Sequence, residues 1–282
     1  MQPFNFFKKS LFLLMAAFVW LPLKAIAQSG EEVPFITSPD NVTLEMLNIA
    51  SVKRGDHVID LGSGDGRIVI LAARRFEATG LGVEIDPRLV EQSKAHARNA
   101  GVADKVEFRE QDLFKTDLTP ATVVTLYLLQ EVNLQLRPSL LALKPGTRLV
   151  SHDWDMGDWT PDRTTLLPVP DKMVGREKSS RVHLWTVPAH VDGLWCATGL
   201  LRGASIRLKQ KYQAFEGTLA WRDRTRELVG TINGTELRTS AGKYGEVVLQ
   251  ASNDQLRITS AQGNLALAQG TSFQRVAGTA CL

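Results

Sequence analysis

One stretch of the chain, VIDLGSGDGRIVILAA at residues 58–73, restricts the fold more than any other part of the sequence. A short apolar run is followed by glycines at every second position, Gly62, Gly64 and Gly66, and then by an amphipathic segment. A buried strand, a sharp glycine-rich turn and a helix in this order are typical of the first unit of an open α/β sheet. Ligands of such sheets bind beside that turn, at the carboxyl ends of the strands.

The residues that follow alternate between strand-like apolar runs and amphipathic helical segments. We predict helices over 67–76, 87–100 and 131–143. We predict strands over 57–60, 79–84, 106–110, 123–129 and 147–151, with a closing antiparallel strand over 182–187. Regular alternation of this kind predicts an α/β fold with a doubly wound, Rossmann-like sheet.

The pattern changes after Pro188. Short alternating stretches then recur at intervals of about ten residues, over 205–211, 216–221, 227–232, 246–250, 255–259 and 264–268. Turn signals such as Asn233-Gly234 separate them. The sequence therefore predicts an α/β domain over 33–189 and a small all-β domain, a barrel or a sandwich, over 192–282.

The first 27 residues have the features of a secretory signal peptide. Lys8 and Lys9 precede an apolar run over 11–23, and Ala25-Ile26-Ala27 follows it. The run is short for a membrane span. We expect a cleaved signal over 1–27 and an exported protein that is periplasmic or associated with the cell envelope. The alternative is an uncleaved N-terminus that holds the chain on the membrane.

The charges balance outside the signal. The chain has 33 Lys and Arg against 30 Asp and Glu. Three of the lysines and none of the acids lie in the first 27 residues, so 30 basic and 30 acidic residues remain. A chain without net charge has no bulk attraction for nucleic acid, and we expect no nucleic-acid partner.

The two cysteines, Cys196 and Cys281, lie near the two ends of the predicted all-β domain. An even number of cysteines in an exported chain favours an intramolecular disulfide between them. The alternative is two unrelated buried thiols.

Carboxylates end or follow three successive predicted strands, at Asp60, Glu84 and Asp112. The spacing D-x-G-x-G-x-G differs from the G-x-G-x-x-G of dinucleotide sites, which disfavours a dehydrogenase. Glu84 comes 22 residues after Gly62, near the interval at which an acid binds ribose hydroxyls. The pattern suits a nucleoside cofactor without phosphate, with a zwitterionic amino-acid end and a cationic sulfonium.

Further candidate site residues follow the fourth and fifth predicted strands. Tyr127 could hydrogen-bond an incoming amine and Glu131 could orient it, although sheet packing and a first-turn helix acid explain these residues equally well. The stretch SHDWDMGDW over 151–159 offers Asp153 and two tryptophans to a cationic amine. His152 and Asp153 lack the spacing of metal ligands, so we expect no metal site.

Residues 35–159 resemble the class I S-adenosylmethionine-dependent methyltransferases. Within that class they resemble the lysine methyltransferases of the ATP synthase c-subunit and their bacterial and archaeal relatives. The motifs that carry the resemblance are DLGSGDGRIVI, GVEIDPRLV, QDLFKTDL, VVTLYL and the upstream ITSPDNVTLEML, which in this family closes over the cofactor.

The resemblance implies S-adenosyl-L-methionine as the cofactor. It places Glu84 at the ribose, Asp112 at the adenine, and the first turn at the methionine end through Asp60, Gly62, Ser63, Gly64 and Gly66. It further implies N-methylation of a protein lysine, or of a small cationic amine.

Two features depart from that family: the apparent signal peptide and the all-β domain. They leave a second hypothesis open, an exported, non-catalytic binding protein. Its methyltransferase fold would be a scaffold and its β domain would bind a ligand.

Overall fold

The computed structural model describes residues 36–172, 177–239 and 245–281, so the predicted signal peptide over 1–27 lies outside the described residues. The first part of the described chain forms an α/β layer structure. Its helices are α1 (Asp40–Ile49), α2 (Arg67–Phe76), α3 (Pro87–Asn99) and α4 (Gln130–Leu141). Its strands are β1 (His57–Leu61), β2 (Thr79–Glu84), β3 (Val106–Glu110), β4 (Val123–Leu126), β5 (Arg148–His152), β6 (Arg163–Pro168) and β7 (Ser179–Thr186).

These strands make one sheet in the order β3-β2-β1-β4-β5-β7-β6. The first five are parallel to their neighbours, whereas β7 runs antiparallel to β5 and β6 antiparallel to β7. The α/β sheet predicted from the sequence is confirmed. The order reverses direction beside β1, which lies between β2 and β4, and such a switch point opens a ligand crevice at the carboxyl ends of the strands.

Local sequence explains most of the element boundaries. Helix α3 begins at Pro87, and the Asp86 carboxylate caps it by accepting a hydrogen bond from the amide of Arg88. Helix α2 follows Gly66, whose φ of 81° places it in the left-handed region. The predicted strand over 123–129 ends earlier, at Leu126, and the next three residues lead into α4.

Helix α1 and strand β6 were not predicted. Helix α1 buries Val42, Met46 and Leu47 against α2 and the sheet. Strand β6 lies at the sheet edge, and the exposed side chains of Arg163 and Thr164 hide any hydrophobic alternation.

The second part of the described chain is a closed, eight-stranded antiparallel barrel. Its strands are β8 (Gly193–Ala197), β9 (Ser205–Lys211), β10 (Ala214–Trp221), β11 (Arg224–Asn233), β12 (Glu236–Thr239), β13 (Val247–Ser252), β14 (Gln255–Ala261) and β15 (Ser272–Val276). They pair in the order β10-β11-β12-β13-β14-β15-β8-β9, and β9 closes on β10. Of the two architectures left open by the sequence, the barrel is the one found.

Apolar side chains fill the interior of the barrel. Trp195, Leu237, Leu256 and Phe273 are almost fully buried there and belong to one hydrophobic cluster. This packing is that of a small barrel whose inward-facing residues form a core.

The predicted strand over 264–268 is wrong. Residues 263–268 form a 3₁₀ helix that begins at Gly263, with a φ of 61°. The alternating letters of this segment imitate a strand, but its buried positions recur every third residue: Leu265 packs on the barrel core and Ala268 is buried, whereas Leu267 is exposed.

Cys196 of β8 and Cys281 form a disulfide, as predicted. The bridge joins positions 85 residues apart in the sequence and so fastens the last described residues to the first strand of the barrel. Within the described ranges, no helix is both long and apolar enough to cross a membrane.

Candidate functional site

The glycine-rich turn after β1 has a backbone that only glycine adopts easily. Gly62, Gly64 and Gly66 have φ values of 76°, 54° and 81°. A Cβ on Gly66 would lie 2.7 Å from the Phe108 ring and 2.9 Å from Cβ of Ser93. The turn is therefore pressed against α3 and β3, where Gly64 and Gly66 are buried. Gly62 is exposed and offers bare backbone that a ligand can approach closely.

Asp60 is the penultimate residue of β1 and is 2% exposed. Its carboxylate accepts a 2.7 Å hydrogen bond from the Thr125 hydroxyl of β4. Burial raises the pKa of Asp60 to about 7; the Thr125 hydrogen bond opposes this shift and the negative charge of Glu84 adds to it. A cation placed beside this carboxylate would stabilise its charged form.

Glu84 is held in a fixed orientation at the carboxyl end of β2. Its Oε2 accepts a hydrogen bond from the amide of Gly64 at 2.9 Å, and its Oε1 accepts from the amides of Ile85 and Asp86 at 2.7 and 3.1 Å. Three bonds leave acceptor capacity on a carboxylate, which offers about four lone-pair directions. The side chain thus fastens the glycine-rich turn and still presents oxygen to hydroxyl groups.

Asp112 follows β3 and caps a short 3₁₀ helix over Leu113–Lys115, accepting a 2.9 Å hydrogen bond from the amide of Phe114. Two large apolar side chains lie exposed at the same edge of the sheet. Ile85 is 60% exposed and Phe114 is 51% exposed. Exposed apolar surface next to polar groups is typical of a ligand site, and a flat aromatic base would cover it. Sequence reasoning missed both residues, although each lies within two positions of a predicted acid.

The residues at the carboxyl ends of these strands fit the cofactor that the resemblance implies. Carboxylates lie at or next to the carboxyl ends of three strands, bare backbone is exposed at Gly62, and apolar side chains lie at the Asp112 end. A zwitterionic, cationic nucleoside needs acceptors and apolar surface in this arrangement, and it needs no phosphate-binding helix terminus.

Tyr127 follows β4 and stacks on His152 at the end of β5, with ring centroids 3.9 Å apart and an interplanar angle of 26°. His152 is buried, and its Nδ1 lies 2.8 Å from the hydroxyl of Ser38, just before α1. Burial lowers the pKa of His152 to about 4, so the ring is neutral at physiological pH. Burial also raises the pKa of Tyr127, which keeps its hydroxyl protonated.

Asp153 is the next residue, and its φ of 62° is unusual for a residue with a side chain. Its Oδ1 accepts a 2.9 Å hydrogen bond from the amide of Arg181, and its Oδ2 lies 2.7 Å from the ammonium of Lys172. Glu131 lies apart from this group, as an exposed acid in the first turn of α4. The structure therefore brings Tyr127 and Asp153 together around His152, and it leaves Glu131 in solvent.

The remaining residues of the stretch over 151–159 lie in two different environments. Trp154 is exposed at the rim, whereas Trp159 is 1% exposed. Trp159 stacks on Tyr212 of the barrel with centroids 5.8 Å apart, and Asp158 pairs with Lys211 and Arg137. Two residues of the predicted aromatic and acidic pocket, Asp158 and Trp159, thus contact the barrel. Sequence spacing could not reveal this, because it contains no information about the packing partner.

Across the residues that the structure describes, no group of three or more His, Cys, Asp or Glu side chains is arranged to hold a metal ion.

Comparison with known proteins identifies relatives of the α/β part of the chain. The family model described as the ANTKMT methyltransferase domain matches residues 60–163. A protein-lysine N-methyltransferase of Saccharolobus islandicus is 42% identical over 131 residues, which are 46% of this chain and 81% of that protein. The mouse lysine N-methyltransferase of the ATP synthase c-subunit is 34% identical over 135 residues, which are 47% of this chain but only 53% of that protein.

A solved methyltransferase structure is also similar to this chain. A protein described as an RNA methyltransferase from Salinibacter ruber, in complex with S-adenosyl-L-homocysteine, is 50% identical with a TM-score of 0.50. The similarity covers 96% of that chain and 55% of this one. The resemblance drawn from the sequence motifs is confirmed.

Proposed function

This chain belongs to the ANTKMT methyltransferase-domain family of S-adenosylmethionine-dependent methyltransferases, and on that premise we propose that it transfers a methyl group to the side-chain amine of a lysine in a protein. The observation that carries the proposal is the group formed by Tyr127, His152 and Asp153. It lies beside the carboxyl ends of the parallel strands, which we call the cofactor edge of the sheet. A carboxylate next to two stacked rings has the chemistry that binds an alkylammonium ion.

We propose that the glycine-rich turn and the strand-end acids hold the cofactor. Asp60, Gly62, Ser63, Gly64 and Gly66 would surround the methionine end, and Glu84 would bind the ribose hydroxyls. Asp112 would accept from the exocyclic amine of adenine. The exposed Ile85 and Phe114 would cover the faces of the base.

The bound cofactor supplies an electrophilic methyl group on a good leaving group, so the protein's task is alignment and exclusion of water. The Asp153 carboxylate would bind the acceptor as an ammonium ion. The ammonium must first release its proton to solvent, and partial burial beside Tyr127 and the neutral His152 favours that loss. The lone pair of the resulting amine can then attack. The hydroxyl of Tyr127, kept protonated, would accept a hydrogen bond from the amine and orient the lone pair.

Two classes of acceptor appear among the relatives, lysine in proteins and RNA. Protein lysine is favoured because 30 basic and 30 acidic residues balance after residue 27. An RNA enzyme needs a basic surface to bind the phosphate backbone.

The test uses the full chain with S-adenosylmethionine that carries a deuterated methyl group. It is incubated separately with purified ATP synthase c-subunit, with poly-L-lysine and with total RNA, and each product is digested and analysed by mass spectrometry. We expect label on lysine side chains and none on nucleosides. Label on nucleosides alone would show that the acceptor is RNA and not protein lysine. No label with any acceptor would contradict the proposal.

Glu84→Ala and Glu91→Ala provide the matched pair of variants. Glu84 faces the cofactor edge, whereas Glu91 lies exposed on α3 in a pair with Lys94. We expect Glu84→Ala to lose transfer to every acceptor and Glu91→Ala to keep it.

We also propose that the chain works outside the cytoplasm. The Cys196–Cys281 disulfide supports this, because such bonds persist in oxidising compartments. Cell fractionation with sequencing of the protein's N-terminus provides the test. Recovery from the periplasm beginning at Gln28 is the expected result, recovery from the membrane with residues 1–27 retained would favour the anchored alternative, and a cytoplasmic reduced protein would refute the proposal.

A further inference from the structure

A lysine of the chain itself is inserted into the group formed by Tyr127, His152 and Asp153. Lys172 lies in the turn that leaves β6, where its amide donates to the carbonyl of Val169. Its side chain is only 14% exposed. Lysine is rarely buried to this extent unless its charge is paired.

The ammonium of Lys172 has two partners. It lies 2.7 Å from Oδ2 of Asp153 and donates to the carbonyl of Ser179 at 2.7 Å. Asp153 directly follows β5, and Ser179 is the first residue of β7, which pairs with β5. The ammonium therefore occupies a position defined by a carboxylate and a backbone carbonyl, the two acceptors that an alkylammonium ion prefers.

The carboxylate is held in place at a conformational cost. A residue with a side chain at a φ of 62° is strained by about 1 kcal/mol. The strand β7 maintains this conformation, because the Asp153 amide donates to the carbonyl of Arg181 at 2.7 Å and the Arg181 amide donates back to Oδ1 at 2.9 Å. Oδ2 is thereby directed to the position where Lys172 binds.

A second feature points to a ligand at the same place. Nε2 of His152 is buried and has no hydrogen-bond partner among the residues described, since Oδ2 of Asp153 lies 3.4 Å away. A buried polar atom without a partner is costly unless something else satisfies it. Its ring stacks on Tyr127, so the unsatisfied nitrogen, the phenol ring and the carboxylate face one small region.

We infer that Lys172 occupies the acceptor-amine subsite of the enzyme and competes there with the lysine to be methylated. The inference rests on the proposed function, because it takes Asp153 to be the group that binds the acceptor ammonium. Lys172 presents the same functional group as the acceptor, on the same carboxylate, beside the same rings. An incoming lysine must therefore displace it before the amine can be aligned.

The fraction of time that Lys172 occupies the subsite determines how far the apparent affinity for the acceptor falls. If Lys172 holds the subsite nine-tenths of the time, the apparent affinity for the acceptor falls about tenfold below its intrinsic value. Removing the ammonium while keeping the length of the side chain should recover that factor. The turnover number and the affinity for the cofactor should stay as they are, because Lys172 leaves before the chemical step.

The test compares Lys172→Met with Lys178→Met in the full chain. Lys178 lies six residues later and is exposed, and its ammonium donates to the backbone carbonyl of Lys172 rather than to Asp153. With poly-L-lysine as acceptor, we expect the KM of Lys172→Met to fall about tenfold with kcat changed less than about twofold. Lys178→Met should match the wild type. Equal KM values for the two variants, or a higher KM for Lys172→Met, would overturn the inference.

Asp153→Asn supplies the coupling measurement. This variant should raise KM, and adding Lys172→Met to it should not lower KM again, because the two residues act through one contact. A fall of the same size in both backgrounds would mean that Lys172 acts elsewhere. Lys172→Gln serves in place of Lys172→Met if that variant does not fold.

A binding experiment separates this inference from the proposed function. Nα-acetyl-lysine amide is titrated by NMR into the enzyme in the presence of S-adenosyl-L-homocysteine, so that no methyl transfer is required. Binding about tenfold tighter in Lys172→Met supports the subsite even if poly-L-lysine is not methylated. Equal binding in the variant and the wild type refutes the subsite even if poly-L-lysine is a good acceptor.

Discussion

The hydroxyl of Tyr212, in the turn between β9 and β10, donates a 2.9 Å hydrogen bond to the carboxylate of Asp158, in the loop after β5. Lys211 and Arg137 contact the same carboxylate, at 3.1 and 2.6 Å. These contacts hold the pKa of Asp158 at about 2, so its charge is present throughout the physiological range. The barrel is thus attached to the loop that begins at Asp153, which we propose to bind the acceptor.

Tyr212→Phe should weaken acceptor binding without affecting cofactor binding. The variant keeps the ring that stacks on Trp159 and loses one hydrogen bond, worth about 1 kcal/mol. We expect the KM for poly-L-lysine to rise a few-fold and the dissociation constant of S-adenosylmethionine to stay constant. Asn253→Ala, in another turn of the barrel, is the control and should change neither. A loss of cofactor affinity in Tyr212→Phe would contradict the assignment of this contact to the acceptor side.

Glu84→Gln should lose cofactor affinity by about two orders of magnitude. The substitution replaces one acceptor oxygen with an amide group that faces backbone N–H donors, at Gly64 or at Ile85. Hydrogen bonds to charged groups contribute about 1.5–3 kcal/mol, and the glycine-rich turn loses its support as well. Calorimetric titration with S-adenosylmethionine measures the effect, with Glu91→Gln as the exposed control. An unchanged affinity in Glu84→Gln would exclude this carboxylate from the site.

Cofactor affinity should depend on pH through Asp60. Because the pKa of Asp60 is raised to about 7, the free enzyme holds this carboxyl mostly protonated at pH 6. A cationic ligand favours the charged form, so S-adenosylmethionine should bind about tenfold more tightly at pH 8 than at pH 6. Asp60→Asn should flatten this profile. A pH-independent affinity in the wild type would show that the ionisation of Asp60 does not affect cofactor binding.

The raised pKa of Asp60 has the opposite effect on stability: higher pH favours cofactor binding but lowers the free energy of unfolding. The folded-state pKa of Asp60 lies above its unfolded value of 3.8, so its contribution to the free energy of unfolding falls as pH rises from about 4 to about 7. Without cofactor, Asp60→Asn should therefore be more stable than the wild type at pH 8. Thermal unfolding at pH 5 and pH 8 checks this, and an advantage of the variant that did not grow with pH would contradict it.

Gly66→Ala should cost more stability than Gly101→Ala. Both glycines have positive φ, 81° and 69°, and share the conformational cost of about 1 kcal/mol. Only Gly66 is crowded, since its Cβ would meet Phe108 and Ser93, whereas nothing lies within 4 Å of a Cβ on Gly101. We expect a further loss of about 1–3 kcal/mol for Gly66→Ala, in the range of overpacked sites. Equal losses in urea unfolding would show that the turn moves freely.

Cys281→Ser should destabilise the barrel. The disulfide joins residues 85 apart, and closing a loop of that length is worth about 4.6 kcal/mol by chain entropy. Denaturant unfolding should show Cys196→Ser and the double variant losing the same amount, because all three lack one bond. Additive losses from the two single variants would mean that the thiols stabilise the barrel separately.

The sequence by itself determined the α/β sheet and its cofactor edge, and it favoured the disulfide. Apolar runs alternating with amphipathic segments predict strands and helices directly, because burial follows local periodicity. Helix α2 was predicted at its observed bounds, Arg67–Phe76. Asp60 and Glu84 were found because each ends a predicted strand, and parallel strands bring their carboxyl ends to one edge.

Only the tertiary structure decided which side chains meet across long separations. Ser38 and His152 are 114 residues apart, and no periodicity relates them. The sequence left barrel and sandwich open, since the closure of β9 on β10 is a property of the whole sheet. Lys172 was not a candidate, because an isolated lysine in a turn has the pattern of a solvated residue. Its contact with Asp153 exists because β6 and β7 pair beside β5, and the low exposure of that pair follows from the folded chain alone.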